Sequence, residues 1–275
     1  SVSAYLRAIH PCNLAYFVSV SIFVLTLPVL LSAFSAQIAN LINSVLTGHF
    51  SHVDLAAVSY GFLVVISIVS ISQGAISALM PSMQKAIKAA DGNLLIISIL
   101  TLLSYLFFSV VIFFVFYQSV YYLDVTDLYK QTIHDYLLPM FVFLLAGQVL
   151  SYCVNVLIII EKIKIIALFG LCATIIDVIT SSLMVHGLFG LPKLGAQGAA
   201  LGSMMGGLTV LSLVVIYLKK HLSVIYDFSF NVNKGSKKQL FLSVFELIKI
   251  SLPAGFASFL NWAVLFFITF VLTLN

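Results

Sequence analysis

Seven apolar runs, each long enough to cross a bilayer, decide what this chain can become. They lie near 17–46, 55–80, 94–117, 136–160, 165–188, 196–218 and 245–274. A hydrocarbon layer about 30 Å thick needs roughly 20 residues of α-helix at 1.5 Å per residue. Inside lipid every backbone N–H and C=O must find a partner within the protein, so segments of this length and uniformity read as helices. The composition agrees: 62% hydrophobic residues and 8% charged among 275, with a mean hydropathy of +1.17. No soluble core of this size hides so much apolar surface. The expected fold is an all-α integral membrane bundle of about seven transmembrane helices.

Charge placement orients the bundle. Arg7, Lys85, Lys88, Lys162, Lys164, Lys219, Lys220, Lys234, Lys237, Lys238 and Lys249 fall before the first run, in alternate connections or, for Lys249, just inside the start of the seventh run. The remaining connections hold only Lys130 and Lys193, together with Asp54, Asp124, Asp127 and Asp135. Cytoplasmic loops carry the excess of Lys and Arg, so the amino terminus is expected on the cytoplasmic side of the cell (inner) membrane. Most connections are short and polar. A longer stretch follows the sixth run, which predicts a six-helix unit over 1–220, a cytoplasmic linker over 221–243 and a further helix over 244–275. The chain lacks an initial Met, which suggests a fragment or a processed form.

One residue stands out against this background. Asp177 lies within the uncharged apolar run 165–191, where a central carboxylate costs roughly 2.5–3.5 kcal/mol to insert. Such a group pairs, titrates or binds a cation, and the functional reading is a proton or ion site. The alternative is a neutral Asp held by Thr180, Ser181 or a neighbouring helix. Gln37, Asn40 and Ser44 share one face of the first helix at spacings of three and four, with Asn43 and Thr47 beside it. Ser181 sits one turn from Asp177, and Asn155, Tyr152 and Ser203 are available from the adjoining helices. Carboxylate, amide and hydroxyl oxygens suit a hard cation such as sodium. Burial disfavours the charged carboxylate and a bound cation favours it, so one group can alternate between the two states. The same polar residues also serve as interhelical glue, at about 0.6–2 kcal/mol per hydrogen bond.

Other features narrow the field. Pro28 removes a backbone hydrogen bond and predicts a kink in the first helix. Gly198, Gly202 and Gly206 recur every fourth residue, a row that lets helices approach closely. Cys12, Cys153 and Cys172 share no metal spacing, and no HExxH, GxSxG or phosphate-binding glycine loop occurs. No enzyme, no cofactor and no nucleic-acid partner is expected; the only candidate metal is sodium at Asp177. Leu27-Pro28 with Phe34 is echoed 225 positions later by Leu252-Pro253 with Phe259, and repeated halves are common in secondary transporters.

Three segments carry a family resemblance. They are Ser44 to Phe50 followed by Asp54 to Ser59, with Gly48-His49 and Leu55 to Val58; Ala78 to Ser82 followed by Ala89 to Asp91; and Gly187 to Ala200. In this order they resemble the multidrug and toxic compound extrusion (MATE) family. The resemblance implies the amino-terminal six-helix lobe, plus helix seven, of a twelve-helix, two-lobe antiporter. Such a protein exports amphipathic or cationic drugs and toxins against protons or sodium by rocking around a midplane site. It also implies roles by position. Asn43 stands where the family carries an acid in helix one, Asp177 and Ser181 fall on the helix-five polar pair, and Asn261 falls on a helix-seven acid. Two possible carboxylate positions are thus amides here. Trp262 and Phe259 then either line a substrate cleft between lobes or simply pack. The partners implied are small amphipathic molecules, the lipid bilayer and the carboxyl-terminal lobe. A lipid-linked oligosaccharide flippase of related architecture would want basic residues facing the cavity, and no helix interior supplies one. A seven-helix receptor would need no second lobe.

Overall fold

The computed structural model describes residues 11–89, 92–222 and 237–274. Its long helices are α1 (Pro11–Phe50), α2 (His52–Ala78), α4 (Gly92–Ser119), α5 (Asp127–Ile159), α6 (Ile163–His186), α7 (Ala196–Leu222) and α8 (Lys237–Leu274), with a short helix, α3 (Met80–Ala89), between α2 and α4. Among the described residues six helical segments are long and apolar enough to cross a membrane, in α2 and α4 to α8. The protein is an integral membrane bundle. Each expected run is a helix, and the helix starts move outward by up to nine residues, from 136 to Asp127, while three ends move inward by one or two. The clearest difference follows α2. The expected run continued to 80, whereas the helix breaks at Leu79 and α3 starts one residue before Pro81, a ring that cannot donate to the previous turn. The helix α8 begins at Lys237 and α7 ends at Leu222, so part of the expected linker 221–243 is helical.

Local chemistry sets the connections. Ser51 adopts extended backbone and its Oγ accepts from the Val53 N–H at 3.2 Å, opening α2 only one residue after α1 stops. Gly187 closes α6 in the left-handed conformation, φ 67°, which costs glycine nothing. The Leu194 N–H then donates back to the Met184 carbonyl at 3.0 Å, folding the loop onto the end of α6 before α7 begins.

The most enclosed span is α2, flanked by α1, α4, α5 and α8. Its buried face joins two apolar clusters stacked along the bundle. One gathers Val64, Ile68, Leu137, Met140 and Leu144 near the end where α2 begins. The other gathers Ile76, Leu79, Tyr152, Val156 and Val214 near the end where α2 stops. Outward-facing Phe107, Phe114 and Val115 on α4 remain exposed, as lipid contact requires. At the second end α8 crosses α2 backbone to backbone. A Cβ at Gly74 would meet Ser258 Oγ and lie 2.6 Å from the Ala254 carbonyl, and one at Gly255 would lie 2.6 Å from the Ile71 carbonyl. Tyr105 of α4 adds a 2.6 Å hydroxyl contact to buried Ser251. The helix expected to open a second lobe is therefore tightly packed on the first.

Candidate functional site

Asp177 points into the bundle, 9% exposed, between α1, α6 and α7. Its Oδ1 accepts from Asn43 Nδ2 at 3.1 Å and from Ser181 Oγ at 3.0 Å. Ser203 Oγ lies 3.4 Å from Oδ1 and 3.3 Å from Oδ2, and also accepts from Asn43 Nδ2 at 3.2 Å. All these donors are neutral. They suit an ionised carboxylate, whose oxygens only accept, yet they leave its charge uncompensated in a medium of low dielectric. Asn43 Oδ1 is buried without a partner among the described residues, a second oxygen beside the carboxylate. The helices present the set by simple periodicity: Asp177 and Ser181 are one turn apart on α6, and Asn43 is followed on α1 by Thr47, whose hydroxyl turns back to the Asn43 carbonyl at 2.8 Å.

The glycine row brings α7 close enough for this. A Cβ on Gly198 would lie 2.7 Å from Met184 backbone, one on Gly202 would collide with Ser181 Oγ, and one on Gly206 would stand 3.0 Å from Asp177 Cβ. Packing and site are one feature here, because the row lies against the turn of α6 that carries the acid.

Beside the cluster opens a cavity of about 340 Å³, lined by Gln37, Asn40, Asn43 and Ser44 of α1, Ser59 and Phe62 of α2, Tyr136 of α5 and Ser203 of α7. Every lining residue lies in the half of the bundle where α1 ends and α2, α5 and α7 begin. The tight α2–α8 crossing lies at the other end. The cavity and the tight crossing thus lie toward opposite ends of the bundle.

The residues singled out by the sequence divide accordingly. Asn43, Asp177, Ser181 and Ser203 meet directly; Gln37 and Asn40 line the adjoining cavity. Asn155 does not join them: its Nδ2 donates to the Ile76 carbonyl at 3.1 Å near the end where α2 stops. Tyr152 pairs with Ser98 at 2.9 Å instead, and Thr180 bonds back to Ile176 on its own helix at 2.7 Å. Phe259 packs at 6.1 Å between ring centres from Phe256, and Trp262 is half-buried. The side chains of Asn261 and Pro28 lie outside the described residues, although α1 is helical through position 28. Two residues escaped notice. Tyr136 reads as one more lipid-facing or core-packing aromatic, yet it lines the cavity and its ring occupies the space a side chain at Gly61 would need. Asp54 reads as a loop charge, yet its Oδ1 accepts from the Ala196 N–H at 2.7 Å.

The architecture is that of known transporters. The Vibrio cholerae MATE transporter VcmN, in its bent form, superposes with a TM-score of 0.64 at 16% identity, covering 91% of this chain and 56% of its own. A MOP superfamily transporter from Pyrococcus furiosus matches with a TM-score of 0.61 at 13% identity, over 85% of this chain and 51% of that one. An outward-facing multidrug resistance MATE family transporter gives 0.64 at 12%, again over 85% and 51%. The chain therefore spans about half the length of the solved transporters it matches, and at these identities the likeness is one of fold. No protein-family model matches the sequence, and no curated protein matches it at a significant level.

Proposed function

We propose that this chain is the first lobe, with the opening helix of the second, of a cation-coupled exporter of the MATE type. The observation that carries the reading is the Asp177 carboxylate, buried in a membrane bundle, surrounded by neutral donors and placed beside a polar cavity in one half of the bundle. A lone negative charge there is stabilised when a proton or a sodium ion joins it. Occupation neutralises the cluster and removes the cost of closing the bundle over it; release restores the charge and favours the hydrated, open form. Asn43 serves both states, since its amide N–H donates to the ionised carboxylate while its unpartnered side-chain oxygen is free to accept from an arriving proton or to ligate sodium. The exported compound, amphipathic and neutral or cationic, takes the amide- and hydroxyl-lined cavity. None of the cavity-lining residues is basic, which weighs against a lipid-linked phosphate substrate and hence against a flippase.

With the lysine-rich connections in the cytoplasm of the inner membrane, the cavity opens outward and the α2–α8 crossing closes the cytoplasmic side. The other lobe of the parent completes the substrate path, and rocking of the two lobes exchanges access. The test is dye efflux from vesicles carrying the full-length parent under separately imposed proton and sodium gradients. Efflux that follows one gradient and is lost in Asp177→Asn supports the reading, and efflux that follows neither defeats it.

A further inference from the structure

The Asp54–Ala196 bond joins the start of α2 to the start of α7, at the rim of the bundle and away from the carboxylate cluster. We propose that Asp54 is a positioning residue for Asp177, acting through the axial register of α7. Ala196 is the first residue of α7 and its N–H has no partner within the helix. Asp54 satisfies it at 2.7 Å and sets negative charge against the positive end of the helix dipole. Gly195, immediately before, has φ 52°, and any Cβ there would collide with Asp54 Oδ1. The carboxylate therefore lies against backbone that only glycine leaves open.

Register matters because Ala196 and Ser203 are seven positions apart, close to two turns of about 3.6 residues. The anchored N–H and the hydroxyl that reaches Asp177 thus share one face of α7. A slip of one residue rotates that face by about 100° and shifts it by about 1.5 Å, which takes Ser203 off the carboxylate. The same slip carries Gly202 and Gly206 away from Ser181 and Asp177, replacing small residues by side chains where helices nearly touch. The 3.0 Å bond from Leu194 to Met184 holds the loop to α6; Asp54 adds a polar tie between α7 and α2, whose residues also line the cavity.

The role rests on Asp177 being the coupling group, but its readout does not require transport. The full-length protein in nanodiscs gives an infrared carboxylate band for Asp177, identified by its absence in Asp177→Asn. Asp54→Ala is expected to move that band and, through loss of Ser203 from the cluster, to change ion affinity by about tenfold, weaker for sodium, which loses an oxygen, and tighter for a proton, because Ser203 donates to the ionised carboxylate. Asp54→Asn, which keeps an acceptor oxygen, restores both to within about twofold. Where Asp54→Ala fails to fold, Gly195→Ala displaces the same carboxylate and is expected to move the same band. A folded Asp54→Ala or Gly195→Ala that only melts earlier, with the Asp177 band unchanged, makes Asp54 an ordinary helix cap and overturns the proposal. Normal transport by Asp177→Asn would remove the coupling reading while leaving the band shift intact, so the two failures are distinct.

Discussion

Asn43 Nδ2 lies 3.1 Å from Asp177 Oδ1 across the α1–α6 contact, joining residues 134 positions apart. That bond makes α1 sensitive to the charge on α6. Removing one donor from an ionised partner costs about 1.5–3 kcal/mol.

Asn43→Ala deletes the donors to both Asp177 and Ser203 and is expected to change coupling-ion affinity by about tenfold to a hundredfold, tighter for a proton, since the lost donor favours the ionised carboxylate, and weaker for sodium, which loses the amide oxygen. Thermal stability should fall by about 1 kcal/mol or less, because the variant also removes an unpartnered buried oxygen. Ion titration of proteoliposome transport beside a thermal melt separates the two effects.

Glycine substitutions should split sharply by position. Gly202→Ala drives a methyl group into Ser181 Oγ and is expected to destabilise the bundle by about 1–3 kcal/mol through overpacking. Gly147→Ala meets nothing within 4 Å and should be neutral or stabilising by up to about 1 kcal/mol, as helix propensity favours alanine. Paired melts in the same detergent check the contrast.

The α2–α8 crossing predicts a conformational effect. Gly255→Leu places a large side chain against the Ile71 carbonyl and Ala75, which is expected to push the two helices apart. Spin labels on α2 and α8 near the crossing should report a longer distance in the variant than in the parent. An unchanged distance in a folded variant would show that the crossing is not a seal.

Much of this was legible in the sequence, and the reason is geometric. The long helices follow from apolar length alone, and Asp177 with Ser181 from one-turn spacing. Asn43 and Ser203 were found because polar residues in a span are few and must face protein. Asn155 satisfies the same rule but serves the carbonyl of Ile76, since periodicity fixes neighbours along one helix and says nothing of register between helices. Tyr136 was missed for that reason: only the packing of α5 against Gly61 shows that its ring turns toward the cavity. Asp54 was hidden by its position, because a charge next to a loop reads as solvated until the start of another helix is found beside it. The glycine row was read as packing alone; its alignment with Asp177 and Ser181 belongs to the α6–α7 register, which no single helix encodes.

The most direct measurement compares ion-driven efflux by full-length Asp177→Asn and parent protein at equal abundance in the membrane. Asparagine keeps the size of the side chain and an oxygen to accept from Asn43 and Ser181, but it can neither carry the charge nor release a proton. The account predicts a folded, membrane-inserted variant that still binds substrate and shows efflux no longer driven by the proton or sodium gradient. Gradient-driven efflux at the parent rate would contradict it.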